Sequence, residues 1–462
     1  MNLEKLILIL IIFSVPLGQF GKIPLPLVGG LPFVNVYLND VLIPMLIFIW
    51  FAYRLAVKKE LFLPPFLGLI LLFASIGLLS LVNSFRWLEM SQFAISFLYW
   101  WRWVQYAMLY PIVYSLVKES SFEIGWPAGC FIPCCLIIGV VVFAILGIFQ
   151  FLFFSDFSKY AAYGWDPHYY RLLSTFFDPN FAGILLVLGL ILVLSINLEK
   201  GNHIKAWILR DGNSAKHGLK NFPKALLFLL PVLLTVSILL TFSRSTYLAF
   251  LCAIFFLGLI KSRRLLILLL IFCCLAFVLV PKVRNRVVGA VTLDATARAR
   301  LQDWQKTYVI VKDNWLTGVG FNAFRYAKDQ YGYFRNERGL PIPSGHSGAG
   351  ADSSVLFVWA TTGVFGLITY LLLYGGIWLE AWLRYSKPKV KPQFLYLTLI
   401  VSIPTLVIHS QFVNSLFFPW IMEWMWIVVG LAFGTAENRV SPPNNPQIGC
   451  HPQKGCHPIF GS

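Results

Sequence analysis

The chain has 462 residues, 58% of them hydrophobic and only 12% charged, with a formal net charge of +17. Soluble globular domains carry roughly 25% charged residues, so a soluble, disordered or disulfide-scaffold protein is excluded. A mean hydropathy of +0.73 points to a chain that crosses a membrane many times.

A hydrocarbon core about 30 Å thick requires about 20 mostly apolar helical residues. Runs that meet or nearly meet this fall at 3–20, 40–57, 62–83, 93–117, 127–154, 181–198, 225–242, 246–260, 265–281, 353–383, 394–415 and 417–434. The expectation is an all-α polytopic membrane protein of about twelve transmembrane helices. Helices satisfy their own backbone groups in lipid, and the strand alternation of a barrel does not occur. Spans 1–9 then occupy 1–281, a hydrophilic loop occupies 282–352, spans 10–12 occupy 353–434, and a low-complexity tail covers 435–462. Residues 1–20 read as a retained first span, since no clear small-residue cleavage site follows and Gly21-Lys22-Ile23-Pro24 reads as a loop.

Orientation follows from the short loops. Seventeen Lys and Arg fall on the side shared by both termini, among them Arg54, Lys118, Lys205, Lys261 and Arg384, against five on the other side. Both termini are expected inside, with 282–352 outside. Cys130, Cys134, Cys135, Cys252, Cys273 and Cys274 lie in or beside spans and read as small apolar residues. The tail repeats Gly-Cys-His-Pro at 449–452 and 455–458. Its spacing matches no standard zinc finger and its setting is rich in Pro and Asn, so no metal site is assigned.

The 282–352 loop carries eleven cations against six anions. Such an excess attracts an anionic headgroup or a phosphorylated lipid as readily as it solvates a loop. Within it, 296–313 places Leu301, Trp304, Tyr308, Ile310 and Val311 at roughly helical spacing, which predicts a short amphipathic helix on the membrane surface. Gly318 and Gly320 follow at a tight turn, and Pro341–Gly350 is rich in Gly, Pro and Ser.

Three constellations carry candidate chemistry. Thr241-Phe242-Ser243-Arg244-Ser245 puts one guanidinium in a small turn between two spans. Its planar fork suits bidentate phosphate binding in a way that Lys cannot reproduce, although such an Arg often merely anchors a span. Arg171 to Asn180 enters span 6 from the same side, with Asp178 or Asn180 available as a helix cap and Arg171 free to share a cavity with Arg244. Asp352 opens span 10, either as a cap or as a base, and His346 stands six residues earlier. Charges at bilayer depth are few, chiefly Arg102 and Glu423, with no set of carboxylates resembling a proton relay.

These residues resemble the O-antigen ligase/polymerase superfamily of bacterial membrane glycosyltransferases. The resemblance rests on Arg171…Ser174-Thr175-Phe176…Pro179-Asn180, on Ser243-Arg244 at a span edge, and on Arg300-x-x-x-Trp304 followed by Gly318-x-Gly320-x-x-x-Phe324. A polar pair opening a span that ends in Thr362-Gly363-x-x-Gly366 completes it, so that it covers about 165–375.

The resemblance implies inverting, metal-independent transfer of a glycan from a polyprenyl-diphosphate carrier to a hydroxyl of a glycan, lipid or protein acceptor on the outer face. It implies no cofactor and no nucleic-acid partner. Arg244 and Arg300 would hold the diphosphate, with Arg171, Asn180, Arg298 and Ser243 lining the substrate site. The family's polar pair is usually His-Asn, the His being the proposed base; here it is Asp352-Ser353. Asp352 is the candidate base and His346 its substitute. The rival reading is a polysaccharide exporter or flippase, where twelve spans are also common; exporters usually show two similar halves, and no half-to-half match is found.

Overall fold

The apolar runs become helices in the computed structural model, which describes residues 3–27, 31–58, 63–119, 128–163, 165–199, 224–292, 294–335, 350–387 and 393–435. Helix α1 (Leu3–Ser14) leads to an antiparallel hairpin, β1 (Lys22–Leu27) and β2 (Leu31–Tyr37). Then come α2 (Asn39–Tyr53), α3 (Leu67–Ser84), α4 (Met90–Ala107), α5 (Leu109–Glu119), α6 (Ala128–Phe153) and α7 (Pro179–Leu198). The chain continues through α8 (Lys224–Leu240), α9 (Arg244–Lys261), α10 (Arg263–Leu279), α11 (Pro281–Val291), α12 (Ala295–Asp313) and α13 (Phe324–Gln330). It closes with α14 (Ser354–Tyr385), α15 (Gln393–His409) and α16 (Pro419–Gly434).

Among the described residues, seven helices are long and apolar enough to cross a membrane, or eight if α10 and α11, bent by 96°, form one broken span. Leu229–Leu240, Gln393–His409 and Pro419–Gly434 are apolar but shorter. This is an all-α membrane protein, but its spans are less regular than the expected twelve. The run 93–117 divides at Met108 into α4 and α5. Pro111 is the cause: it has no N–H for the Ala107 carbonyl, and its ring crowds that carbonyl. Val280 is extended (φ −112°, ψ 96°) before Pro281 opens α11, so span 9 turns sharply instead of running straight into the loop.

Residues 22–37, expected as a loop, pair in the register Lys22↔Tyr37, Ile23↔Val36 and Leu25↔Val34. The alternation of Ile23, Leu25 and Leu27, then Val34 and Val36, around Gly29-Gly30 carried that hairpin in the sequence. The hairpin is fastened through Arg102, which donates to the Asn35 carbonyl (2.7 Å) and, by Nε and Nη2, to both Asp40 oxygens (2.7 and 2.6 Å). Tyr106 donates to Asp40 (2.9 Å), and Asn39 donates to Glu423 (2.6 Å). Breaking a buried pair of this kind by removing one partner costs roughly 3–5 kcal/mol, so the two intramembrane charges found in the sequence serve here as a fastening between hairpin, α2, α4 and α16.

Helix α7 is apolar all round, and nearly every side chain from Ala182 to Ile196 is buried, as expected of a helix enclosed by others. It packs against α6, α8, α9 and α15, while α16 packs on α5 and α14 on α3 and α15. Helix α12 forms as expected, but its buried side chains are Thr307, Ile310 and Val311. Leu301 and Tyr308 stay 39% and 56% exposed, so only its second half rests on α14.

The loop after α12 locks into a break in α14. Val319 and Gly320 N–H donate to the Ala360 and Thr361 carbonyls (2.8 and 3.1 Å), and Val364 N–H donates to the Trp315 carbonyl (2.9 Å). Gly363 at the break has φ 66° and ψ −171°, a conformation open essentially to glycine alone. A side chain there would meet the Leu316 carbonyl oxygen at 2.1 Å, and one on Gly318 would meet the Thr361 carbonyl carbon at 2.5 Å. Ser80 Oγ, on α3, lies 2.6 and 2.7 Å from the Thr317 and Thr361 carbonyls. The two glycine motifs are therefore halves of one joint.

Candidate functional site

Four helix N-termini are brought together at one end of the bundle. Asp178 caps α7 by accepting from the N–H groups of Asn180 (2.7 Å) and Phe181 (3.0 Å), with Pro179 in the first turn where its missing donor costs nothing. Ser243 caps α9, accepting from Thr246 N–H (3.3 Å). Asp294 caps α12, accepting from Ala297 N–H (3.0 Å). Ser353 caps α14, accepting from Leu356 N–H (3.3 Å). The cap of α14 is thus Ser353, and the Asp352 side chain is not used for that purpose.

Side-chain contacts join these ends. Asn180 Oδ1 accepts from Ser243 Oγ (2.6 Å) and Ser245 Oγ (3.2 Å), which ties the start of α7 to the start of α9. Phe242 in the intervening turn has φ 47°, an outlier for a bulky residue. Arg171 holds that turn: Nε donates to the Thr241 carbonyl (2.9 Å) and Nη2 to the Phe242 carbonyl (3.2 Å). From its place in the sequence Arg171 is expected to face a cavity with Arg244, whereas in the fold it braces the backbone that presents Arg244.

Arg244 makes a two-pronged ion pair with Asp294, one prong being Nη1 to Oδ1 at 3.0 Å. The carboxylate offers two planar oxygens to the guanidinium fork, as a phosphate would. Arg300 lies on α12 and is largely buried; burial lowers its pKa, and Asp352, Asp178 and Asp294 act against that while Arg244 adds to it. Arg244, Arg300 and Asp352 are therefore electrostatic neighbours although 108 residues separate the first from the last. Arg298 is exposed on α12, and His346 lies outside the described residues.

Asp352 is braced from below. Its N–H donates to Asp303 Oδ2 (2.9 Å), and its carbonyl accepts from Trp304 Nε1 (3.3 Å). The other Asp303 oxygen accepts from buried Lys328 (2.7 Å), which also donates to the Gly350 carbonyl (2.9 Å). Burial and then the Asp303 charge push the Asp352 carboxyl up to about 6, against the pull of Arg300 and Lys328. A carboxylate held there accepts a proton near neutral pH better than an ordinary aspartate.

Sequence reasoning missed Asp294, Asp303, Lys328 and His409. The first three form pairs across 25 to 50 residues of sequence and carry no local spacing signal. His409 ends α15, is fully buried, lies 3.1 Å from Ser415 Oγ through Nδ1, and feels the Arg300 charge. A further trio, Asp166, His168 and Asp178, could hold a metal ion, each offering a ligand atom within 4.8 Å of the others.

Residues 229–371 match the family model described as O-antigen ligase. This segment, less than half of the chain, is similar to O-antigen ligases. The matched segment contains Ser243, Arg244, Arg300, Asp352 and the Gly318–Gly363 joint, while Arg171, Asn180 and His409 lie outside it. Among curated proteins, no match to the chain is found. The match and the apolar helices together support, in general terms, a membrane protein of the O-antigen ligase/polymerase type.

Proposed function

We propose that the protein transfers a glycan from a polyprenyl-diphosphate carrier to an acceptor hydroxyl, at the outer face of a bacterial cytoplasmic membrane that it enters with both termini inside. The observation that carries this reading is the grouping of Arg244, Arg300 and Asp352 at the meeting point of four helix N-termini within the O-antigen ligase segment. Helix N-termini and two guanidinium groups favour an anion. A carboxylate pushed up to about 6 beside them supplies a base.

In the proposed step, Asp352 takes the proton of the acceptor hydroxyl as its oxygen bonds to the anomeric carbon. The bond from that carbon to the diphosphate oxygen breaks on the opposite face, and the diphosphate leaves with the electron pair. A single displacement of this kind inverts the anomeric centre. Arg300 and Arg244 stabilise the charge that grows on the leaving oxygens, an effect worth about 3–4 kcal/mol per well-placed donor. Arg244 must first exchange Asp294 for phosphate, so Asp294 holds the fork in shape until the carrier arrives. Asn180, Ser243 and Arg171 fix the turn that carries Arg244.

The test is transfer from a polyprenyl-diphosphate glycan by the purified protein in lipid nanodiscs, with Arg244→Lys and Arg300→Lys beside it. Charge is kept and the bidentate fork is lost, so turnover should drop at least about 100-fold. Near-normal turnover in both variants, or movement of intact carrier with no cleavage of the anomeric bond, would refute the proposal.

A further inference from the structure

A cavity of about 160 Å³ lies beside the Asp352 segment, reaching Gly350 two residues away. That is about ten times the space one buried water needs. Its aromatic walls include Tyr99, Trp103 and Phe417, and its polar groups are Arg102, Asn322 and Asn414. None of its lining residues belongs to α7, α9 or α12, the helices that carry Asn180, Arg244 and Arg300.

The polar groups have unused capacity. Asn414 Oδ1 is buried without a hydrogen-bond partner among the described residues, a condition that calls for an explanation in a native fold. The Asn322 amide makes no hydrogen bond among the described residues, and its backbone is held at φ 58°. Arg102 gives Nε and Nη2 to Asp40 and Asn35, which leaves Nη1 for a ligand. Its charge is already matched by Asp40, so the cavity does not select an anion. Planar amides and a neutralised guanidinium among aromatic rings fit a ring with apolar C–H faces and hydroxyls around its edge.

We propose that this cavity binds one neutral sugar ring of the acceptor and directs its hydroxyl toward Asp352. The proposal rests on the glycosyl-transfer reading above. A nucleophile must reach the anomeric carbon from the face opposite the diphosphate, and the cavity adjoins Asp352 through helices other than those bearing the arginines. The brace from Gly350 through Lys328 and Asp303 to the Asp352 N–H couples the rim of the cavity to the base.

Two measurements on the full chain in nanodiscs test it. Saturation-transfer NMR with a panel of methyl glycosides should show ring protons receiving magnetisation from the wild type, and the signal should vanish in the Asn322→Gly, Asn414→Leu double variant. In the transfer assay, the same variant should raise the acceptor KM roughly tenfold or more, the loss expected from one hydrogen bond to a bound hydroxyl, while donor KM stays within twofold. Glycine keeps the Asn322 backbone conformation, so a folding defect is not built in. No signal from any glycoside with the wild type, a signal that survives in the variant, or a rise in donor KM alone would overturn the proposal. A glycoside signal that the double substitution abolishes, in a protein that never cleaves a polyprenyl-diphosphate glycan, would instead remove the glycosyl-transfer reading and keep the sugar site.

Discussion

Replacing Asp352 with Asn separates a working base from a structural carboxyl, because its two expected effects run in opposite directions. The fold holds the Asp352 carboxyl near 6, against an ordinary 3.8. That gap corresponds to about 3 kcal/mol favouring the protonated over the charged form in the folded state. A raised carboxylate contributes stability that is complete below its unfolded value, is lost as pH rises to about 6, and stays lost above. Asn is neutral throughout, so at pH 7.5 the variant should be more stable than wild type by up to about 3 kcal/mol, the gain shrinking as pH falls below 6. Transfer should meanwhile fall roughly 10²–10⁴-fold, the range for loss of a general base. Wild-type turnover should decline about tenfold per pH unit below 6, and residual turnover of the variant should not. Thermal unfolding in detergent across pH 5–8 and transfer in nanodiscs read both effects. A variant that loses stability together with activity would make Asp352 structural, and one with normal turnover would end its role as base.

Other consequences follow from particular contacts. Reporter fusions at Tyr331 should be active outside the membrane and fusions at Lys454 inside; the reverse would place every candidate residue in the wrong compartment. Gly363→Ala should destabilise by at least about 2 kcal/mol, from the backbone conformation together with the Leu316 carbonyl at 2.1 Å, and unchanged thermal stability would contradict the joint. Asp294→Asn keeps a good helix cap but removes the charge that competes for Arg244, so donor KM should fall severalfold, and a rise would contradict the exchange of Asp294 for phosphate.

Seven or eight candidate spans among the described residues were legible because each needs only a long apolar run, a signal carried in consecutive residues. Departures from that outline came from shorter-range chemistry that a hydropathy reading overlooks. Pro111 splits α4 from α5, and Pro281 turns the chain after α10. The alternation around Gly29-Gly30 makes a hairpin where composition suggested a loop. Gly318 and Gly363 could be picked out as motifs in the sequence, but their purpose could not, since each is required by the backbone of the other's segment, about 45 residues away.

At the site, residue types were more legible than their employment. Arg171 and Arg244 stand out as guanidinium groups beside apolar spans, whereas Arg300 lies in a charged stretch, and its nearness to Arg244 follows from helix ends meeting. What each does depends on acids the sequence cannot pair with them. The 282–352 loop has five more cations than anions, yet Asp294 takes the fork of Arg244 and Asp303 takes Lys328. Arg171 is occupied by two backbone carbonyls. Of these three cations only Lys328 belongs to the loop, so its composition did not single out the two arginines that carboxylates and carbonyls hold in defined geometry. Geometry of that kind is what separates a site able to stabilise charge on one leaving diphosphate from a surface that only attracts anions.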